Sequence, residues 1–336
     1  MAANVSSMQS VSTTNATFVR PSAFYINGFH NIPHAKYYYM FLCFVYAVTV
    51  LGNSFIMGII YLARTLHTAK YIAVFNLALS DLGGSSAIIP KLVDMFLFEN
   101  QYISYEDCLA NMFFVFFFLA LQSFSLLALA YDRVVAICFP LRYHAIVTKA
   151  AMTMIIGVMW IVSVFIFVLF VALVTRLSFC RSVVVDSYFC DNGPIFRLAC
   201  NDNSVNRIMG LVCIAVVIYI PLALITLSYF VIGFALLKMS HGFERIKAMK
   251  TCTAHLILVA IGYLPISSIY VAAYIIPINP NVRIFNTALT QTIPPMLNPI
   301  IYALNTEEVM QSIKALCRRA KVNNVLERVV KNTFTN

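Results

Sequence analysis

The residues of this chain whose types and spacing could do chemistry are few, and most lie inside apolar runs. Between Cys108 and Tyr131 there is no Asp, Glu, Lys, Arg or His, and the segment then ends in an adjacent Asp132–Arg133 pair. An acid beside a base at the foot of a bilayer-length helix can act as a switch, because such a pair trades partners when helices move. The plain alternative is two interfacial charges stopping a helix where it meets water. Other polar side chains interrupt other apolar segments: Asn53, Asn76, Asp81, Gln122, His255, Gln291 and Asn298. Such groups are expensive in hydrocarbon and mark sites of function. The carboxylate of Asp81, with the amides Asn53, Gln122 and Asn298 available, points to a buried polar cluster. It is either a hydrogen-bonded packing node or a hydrated, sodium-bearing pocket. Catalysis has little to build on. There is no His-Glu-x-x-His pattern, and His255 has no acid near it in sequence. Neither an enzyme nor a cofactor is expected, and no metal site other than sodium at Asp81.

The elements that must position these groups follow from composition. The chain is 61% hydrophobic and 11% charged, with mean hydropathy +0.84, whereas soluble domains carry about 25% charged residues. Crossing about 30 Å of hydrocarbon takes about 20 apolar residues in a helix. Seven segments qualify: 37–62, 72–98, 109–131, 151–174, 208–237, 252–276 and 284–304. Barrel strands would alternate over about ten residues, and these runs are continuous. The expected fold is an all-α membrane protein, a seven-transmembrane helix bundle. Pro90, Pro221, Pro265, Pro294, Pro295 and Pro299 fall inside its helices and invite kinks.

Basic residues set the orientation. Arg64, His67 and Lys70 follow the first helix, Arg142 and Lys149 the third, Lys238, Arg245, Lys247 and Lys250 the fifth, and Lys314, Arg318, Arg319 and Lys321 the seventh. Residues 99–107 carry three acids and no base, and 277–283 only Arg283. The amino terminus is therefore expected outside, and the +10 net charge belongs to loops facing membrane lipids rather than nucleic acid. The organisation is an extracellular, glycosylated segment 1–36, the bundle 37–304 and a cytoplasmic segment 305–336. Asn4 and Asn15 head glycosylation sequons on the outer segment. Residues 1–35 lack the apolar core of a cleavable signal, so the first helix is expected to target the chain to the membrane. Cys43, Cys138, Cys213, Cys252 and Cys317 are expected as free thiols, whereas Cys108, Cys180, Cys190 and Cys200 are all outside. Four cysteines allow three pairings. A zinc site is the weaker alternative, since the loop that holds three of them has no histidine.

Taken together these motifs resemble the rhodopsin-like (class A) G-protein-coupled receptors. They are Gly52-Asn53, Leu77-Ala78-Leu79-Ser80-Asp81-Leu82, Asp132-Arg133, Trp160, Pro221 with Tyr229, and Asn298-Pro299-Ile300-Ile301-Tyr302. Within that class the chain resembles an odorant (olfactory) receptor over roughly residues 25–320. The signs are Leu66-His67-Thr68, Ala130-Tyr131-Asp132-Arg133 running through Val135-Ala136-Ile137-Cys138 to Pro140-Leu141-Arg142-Tyr143, Lys247-Ala248 with Thr251-Cys252, and Pro295-Met296-Leu297-Asn298-Pro299. The resemblance implies disulfides Cys108–Cys190 and Cys180–Cys200, a switch of Asp132, Arg133, Tyr229, Asn298, Pro299 and Tyr302, and a short amphipathic cytoplasmic helix over Thr306–Arg319. It also implies a small-molecule odorant as ligand, a heterotrimeric G protein of the stimulatory olfactory type as partner, and the cilia of olfactory neurons as location. The chain departs from the pattern in three places: Val134 stands for the usual Tyr, Gln122 for a common Glu, and Gly262-Tyr263-Leu264 for Phe-Tyr-Gly. This mixture resembles a fish-type branch.

The upper part of the third helix is rich in Phe and has no acid, which argues against amine ligands, and no Lys between 250 and 314 could form a retinal Schiff base. A cavity of Val115, Phe116, Leu119, Ala120, Cys213, Val217, Ser267, Tyr270 and Gln291 is expected to be mainly apolar and to suit a small organic molecule. Lys91 either neutralises an anionic ligand or simply pairs with Asp94. Transporter function would call for repeated halves, which are absent here. The remaining alternative is a class A receptor for a small lipid or peptide.

Overall fold

The computed structural model describes residues 18–29, 35–180, 182–239, 242–275, 279–316 and 318. The sequons at Asn4 and Asn15, and Cys317, lie outside the described residues. Seven long helices form the bundle. They are α1 (Ala35–Leu62), α2 (Ala69–Leu97), α3 (Tyr105–Cys138) and α4 (Lys149–Val174), α5 (Ser204–Lys238), α6 (Phe243–Ile275) and α7 (Pro280–Asn305). A further helical stretch, α8, covers residues 307–316. Among the described residues, six of these helices are long and apolar enough to cross a membrane. The seventh, α7, has the length at 26 residues, but Asn286, Thr290, Gln291, Thr292 and Asn298 lower its hydropathy. It packs against α6, α1 and α2, so those groups face protein.

Two helices outrun their apolar segments. Asp132–Arg133 does not end α3, which continues to Cys138, and α6 begins at Phe243, well before residue 252. Helix propagation needs good helix formers and satisfied backbone groups, not hydrophobicity. Ser104 caps α3 by accepting the Asp107 N–H at 3.0 Å, and Thr148 caps α4 through the Ala151 N–H at 3.1 Å.

Prolines free carbonyls four residues upstream, and side chains from neighbouring helices satisfy two of them. Pro221 frees the Val217 carbonyl, in a π-helical turn at Ala215–Tyr219, and Ser123 Oγ donates to it. Pro299 frees the Pro295 carbonyl, and Asn53 Nδ2 donates to it at 2.9 Å. There α1 and α7 touch so closely that a Cβ on Gly52 would lie 2.8 Å from Pro299 Cγ. The Gly52-Asn53 motif is thus a docking point for a broken helix.

Outside the bundle, β1 (Ala23–Ile26) lies at the centre of a three-stranded sheet. It is antiparallel to β2 (Tyr102–Ser104) and parallel to β3 (Val184–Val185). Its alternation buries Phe24 and Ile26. Phe29 follows, fully buried among Tyr38, Tyr39, Tyr188 and Phe285 with ring centroids 4.7–5.9 Å away. The disulfides Cys108–Cys190 and Cys180–Cys200 complete this roof, the pairing that the resemblance implied. Cys43, Cys138, Cys213 and Cys252 are free.

Candidate functional site: ligand cavity and cytoplasmic switch

Three cavities run down the bundle axis beneath the roof. The uppermost lies between α3, α6, α7 and the long loop, with Phe116, Phe189, Ile266, Arg283 and Gln291 in its wall. A second lies towards α4 and α5, against Phe167, Phe170, Cys213 and Val217. The deepest reaches Asp81, Gln122 and Asn298. Leu119 lines all three, and Ile266 joins it between the roof chamber and the deepest cavity.

The structure brings Phe116, Leu119, Cys213, Val217 and Gln291 of the expected ligand set to these cavities. Others are corrected. Val115 packs in the outer core beside Tyr188, and Ala120 is buried in the main core; Phe116 and Leu119, three apart, define the face of α3 that meets the cavity. Ser267 lines none of the three, and its buried hydroxyl has no partner among the described residues. The side chain of Tyr270 lies outside the described set. Lys91 is also absent from the walls. Its three donors go to Asp94 Oδ2 at 2.7 Å and to the carbonyls of Asn100 and Tyr102 at 2.9 and 2.8 Å.

Sequence reading missed the polar rim of the roof chamber. Arg283 Nη1 meets Asp191 Oδ2 at 2.9 Å, and Nη2 donates to the Asp186 carbonyl at 2.6 Å. Burial pushes the Asp191 carboxyl above its ordinary range, against the opposing pull of Arg283 and of the Gly193 and Asn192 N–H groups. Tyr188 donates to Gln291 Oε1 at 2.6 Å. The sequence signals were faint: one base in a short loop, and an acid 92 positions away.

Below, the polar cluster is smaller than expected. Asn298 Nδ2 donates to Asp81 Oδ2 at 2.7 Å, while Gln122 Nε2 reaches the Ser80 carbonyl at 3.3 Å and lines the same cavity as Asp81. Asp81 Oδ1 has no partner among the described residues. Asn53 does not join, being committed to Pro295. A separate node links α2, α3 and α4: Trp160 Nε1 donates to Asn76 Oδ1, and Asn76 Nδ2 to Ser125 Oγ, both at 2.8 Å.

At the end of the bundle opposite the roof Asp132 is 1% exposed, and Arg133 Nε lies 3.9 Å from its Oδ2, beyond hydrogen-bond reach. The closer partner is Tyr143, whose hydroxyl donates to Asp132 Oδ1 at 2.7 Å. Arg133 instead faces a cavity shared with His255, Tyr302 and Thr306. His255 links three helices. Its Nε2 lies 3.2 Å from the Leu126 carbonyl and its Nδ1 2.8 Å from the Tyr229 hydroxyl. A carbonyl only accepts, so Nε2 carries the proton, while Nδ1 shares a hydrogen bond with the Tyr229 hydroxyl. The Tyr302 hydroxyl is buried without a partner among the described residues.

Beside this cavity α8 is clamped on two sides. Glu308 accepts from Lys70 at 2.8 Å and Tyr71 at 2.5 Å, and Lys247 on α6 meets Glu307 at 3.2 Å. Although burial opposes it, the Lys70 and Tyr71 hydrogen bonds and the Lys70 and Lys247 charges hold the Glu308 carboxyl below its ordinary range.

A sequence profile of the olfactory receptor family matches residues 42–319. The mouse (Mus musculus) protein named olfactory receptor 1E16 is 35% identical over 290 residues, 85% of this chain and 91% of that one. Human (Homo sapiens) olfactory receptor 51F2 is 35% identical over 317 residues, 94% of this chain and 93% of its own length. Olfactory receptor 1 of Rattus norvegicus is 34% identical over 290 residues, 85% of this chain and 91% of that one. These relatives are mammalian, so the fish-type branch stays an expectation.

Proposed function

Because the chain belongs to the olfactory receptor family of class A G-protein-coupled receptors, we propose that it binds a small organic odorant beneath the roof and passes the signal to a stimulatory G protein that raises cAMP. It is a multi-pass plasma-membrane receptor and not an enzyme. Its amino terminus faces outside, as its basic loops require, and its place is the cilia of olfactory neurons. The observation that carries the ligand reading is the stack of cavities meeting at Leu119. It gives a ligand against Phe116 and Val217 mechanical access to the Asp81–Asn298 bond beneath.

The mechanism is a population shift: an agonist that binds the active bundle more tightly than the resting one moves the equilibrium by its differential affinity. In the resting bundle Tyr143 holds Asp132, and His255 ties the base of α6 to α3 and α5. Displacement of α6 breaks the His255 contacts and opens the Arg133 cavity to the G protein, with Tyr229 and Tyr302 moving into the vacated space. Replacing Arg133 by Ala is expected to abolish agonist-driven cAMP while leaving surface expression largely intact. Normal signalling by Arg133→Ala, measured with an equal number of receptors at the surface, would refute the switch.

A further inference from the structure

We propose that Arg283 is the anchor for an anionic ligand, and that the roof chamber takes small amphipathic carboxylic acids with the carboxylate at Arg283 and the apolar chain against Phe116, Leu119 and Ile266. The proposal rests on the odorant-receptor reading and adds a ligand class to it.

The argument is one of donors. Among the described residues, two charged groups line the roof chamber, Asp191 and Arg283. Asp191 is already engaged: its carboxylate holds the Arg283 guanidinium at 2.9 Å. A cationic ligand would have to evict Arg283 to reach it. A guanidinium, however, has five N–H groups in a planar fork. Among the described residues, hydrogen bonds to Asp191 and Asp186 account for two of them. Arg283 therefore keeps donors for an oxyanion without giving up its hold on the roof. Lys91 is the opposite case, with three donors and three partners.

The surroundings agree. Gln291 accepts from Tyr188 through Oε1, which leaves its amide nitrogen as a second donor in the same wall. The guanidinium packs over Gly193, where a Cβ would stand 3.9 Å from Nη1. Phe116, Leu119, Phe189, Ile266 and Ile269 form the apolar part of the wall, and Asn192, Asn286 and Thr287 add neutral polar groups. A charged head beside hydrogen-bond donors and an apolar body against aromatic and aliphatic groups is the pattern by which pockets fix orientation. Arg is also the side chain best shaped to take a carboxylate through two parallel bonds.

The test uses the full-length receptor in nanodiscs and in cells. Butanoate, octanoate and 1-octanol are compared by ligand-induced thermal stabilisation and by cAMP dose–response on wild type, Arg283→Gln, Arg283→Lys and Lys91→Gln. Wild type should be stabilised by octanoate. Arg283→Gln should weaken octanoate at least tenfold with under threefold effect on 1-octanol, and Lys91→Gln should leave the ratio of the two unchanged. Arg283→Lys keeps the charge opposite Asp191 and so preserves the roof if the Gln variant does not fold; it should show the same acid-selective loss in weaker form. The anion site is overturned if neither acid stabilises wild type, or if acid and alcohol lose potency together in the Lys variant. A wild-type response to 1-octanol alone would sink the anion site and leave the receptor reading intact. Acid-induced stabilisation with no cAMP change would do the reverse.

Discussion

Single residues carry the proposed switch, and Tyr143 is the one with the clearest consequence. Its bond to the buried Asp132 is charge-assisted, a class worth about 1.5–3 kcal/mol, whereas Arg133 pairs with the same carboxylate at 3.9 Å without a hydrogen bond. Tyr143→Phe removes only the hydroxyl and should raise basal cAMP several-fold with little change in maximal response. Unchanged basal output would show that Asp132 is restrained by something else. The residue types involved were legible in the sequence: Asp132, Arg133, Asp81 and Asn298 were all singled out, and Asp81 and Asn298 do meet. Their exact partners were not. Asn53 belongs to a proline-freed carbonyl and Tyr143 to Asp132 because such assignments depend on which face of a kinked helix meets which neighbour. Arg283 escaped notice because a lone base in a short loop has the same appearance in sequence whether it faces solvent or a cavity.

Among the elements, α6 and α8 are held by the exposed Lys247–Glu307 pair. An exposed pair contributes about 0–1 kcal/mol, small against a fold but enough to shift a two-state equilibrium up to about fivefold. Lys247→Glu and Glu307→Lys should each raise basal cAMP by up to about that factor. The double exchange should return it towards wild type, and failure of that rescue would show that the pair does not couple the helices. Helix existence was readable from apolar run length, and all seven expected segments overlap a long helix. Their ends were not, since α3 and α6 continue for about two turns past their hydrophobic stretches on helix propensity and contacts. The amphipathic helix was expected over Thr306–Arg319. It is helical over 307–316, with Val309 and Ser312 buried against the bundle.

For the whole molecule, the roof is the part that sequence did not disclose. Three short strands joined across about eighty residues at each step leave no periodic signal strong enough to read, although the disulfide pairing that closes them was implied by resemblance. Phe29 is fully buried at the junction of β1, α1 and the long loop, and deleting a buried Phe side chain is destabilising by about 3–5 kcal/mol. Phe29→Ala should therefore lower the thermal midpoint of the purified receptor. An unchanged midpoint would mean that the roof is not cooperative with the bundle. The sheet also imposes a timetable. Its central strand is the first to leave the ribosome, yet its partners follow about 80 and 160 residues later. At a synthesis rate of about 5–20 residues per second, β1 waits roughly 10–30 s for β3. During that interval it presents both hydrogen-bonding edges to whatever else is nascent nearby. The risk of misassembly in this receptor thus falls on its earliest-made strand.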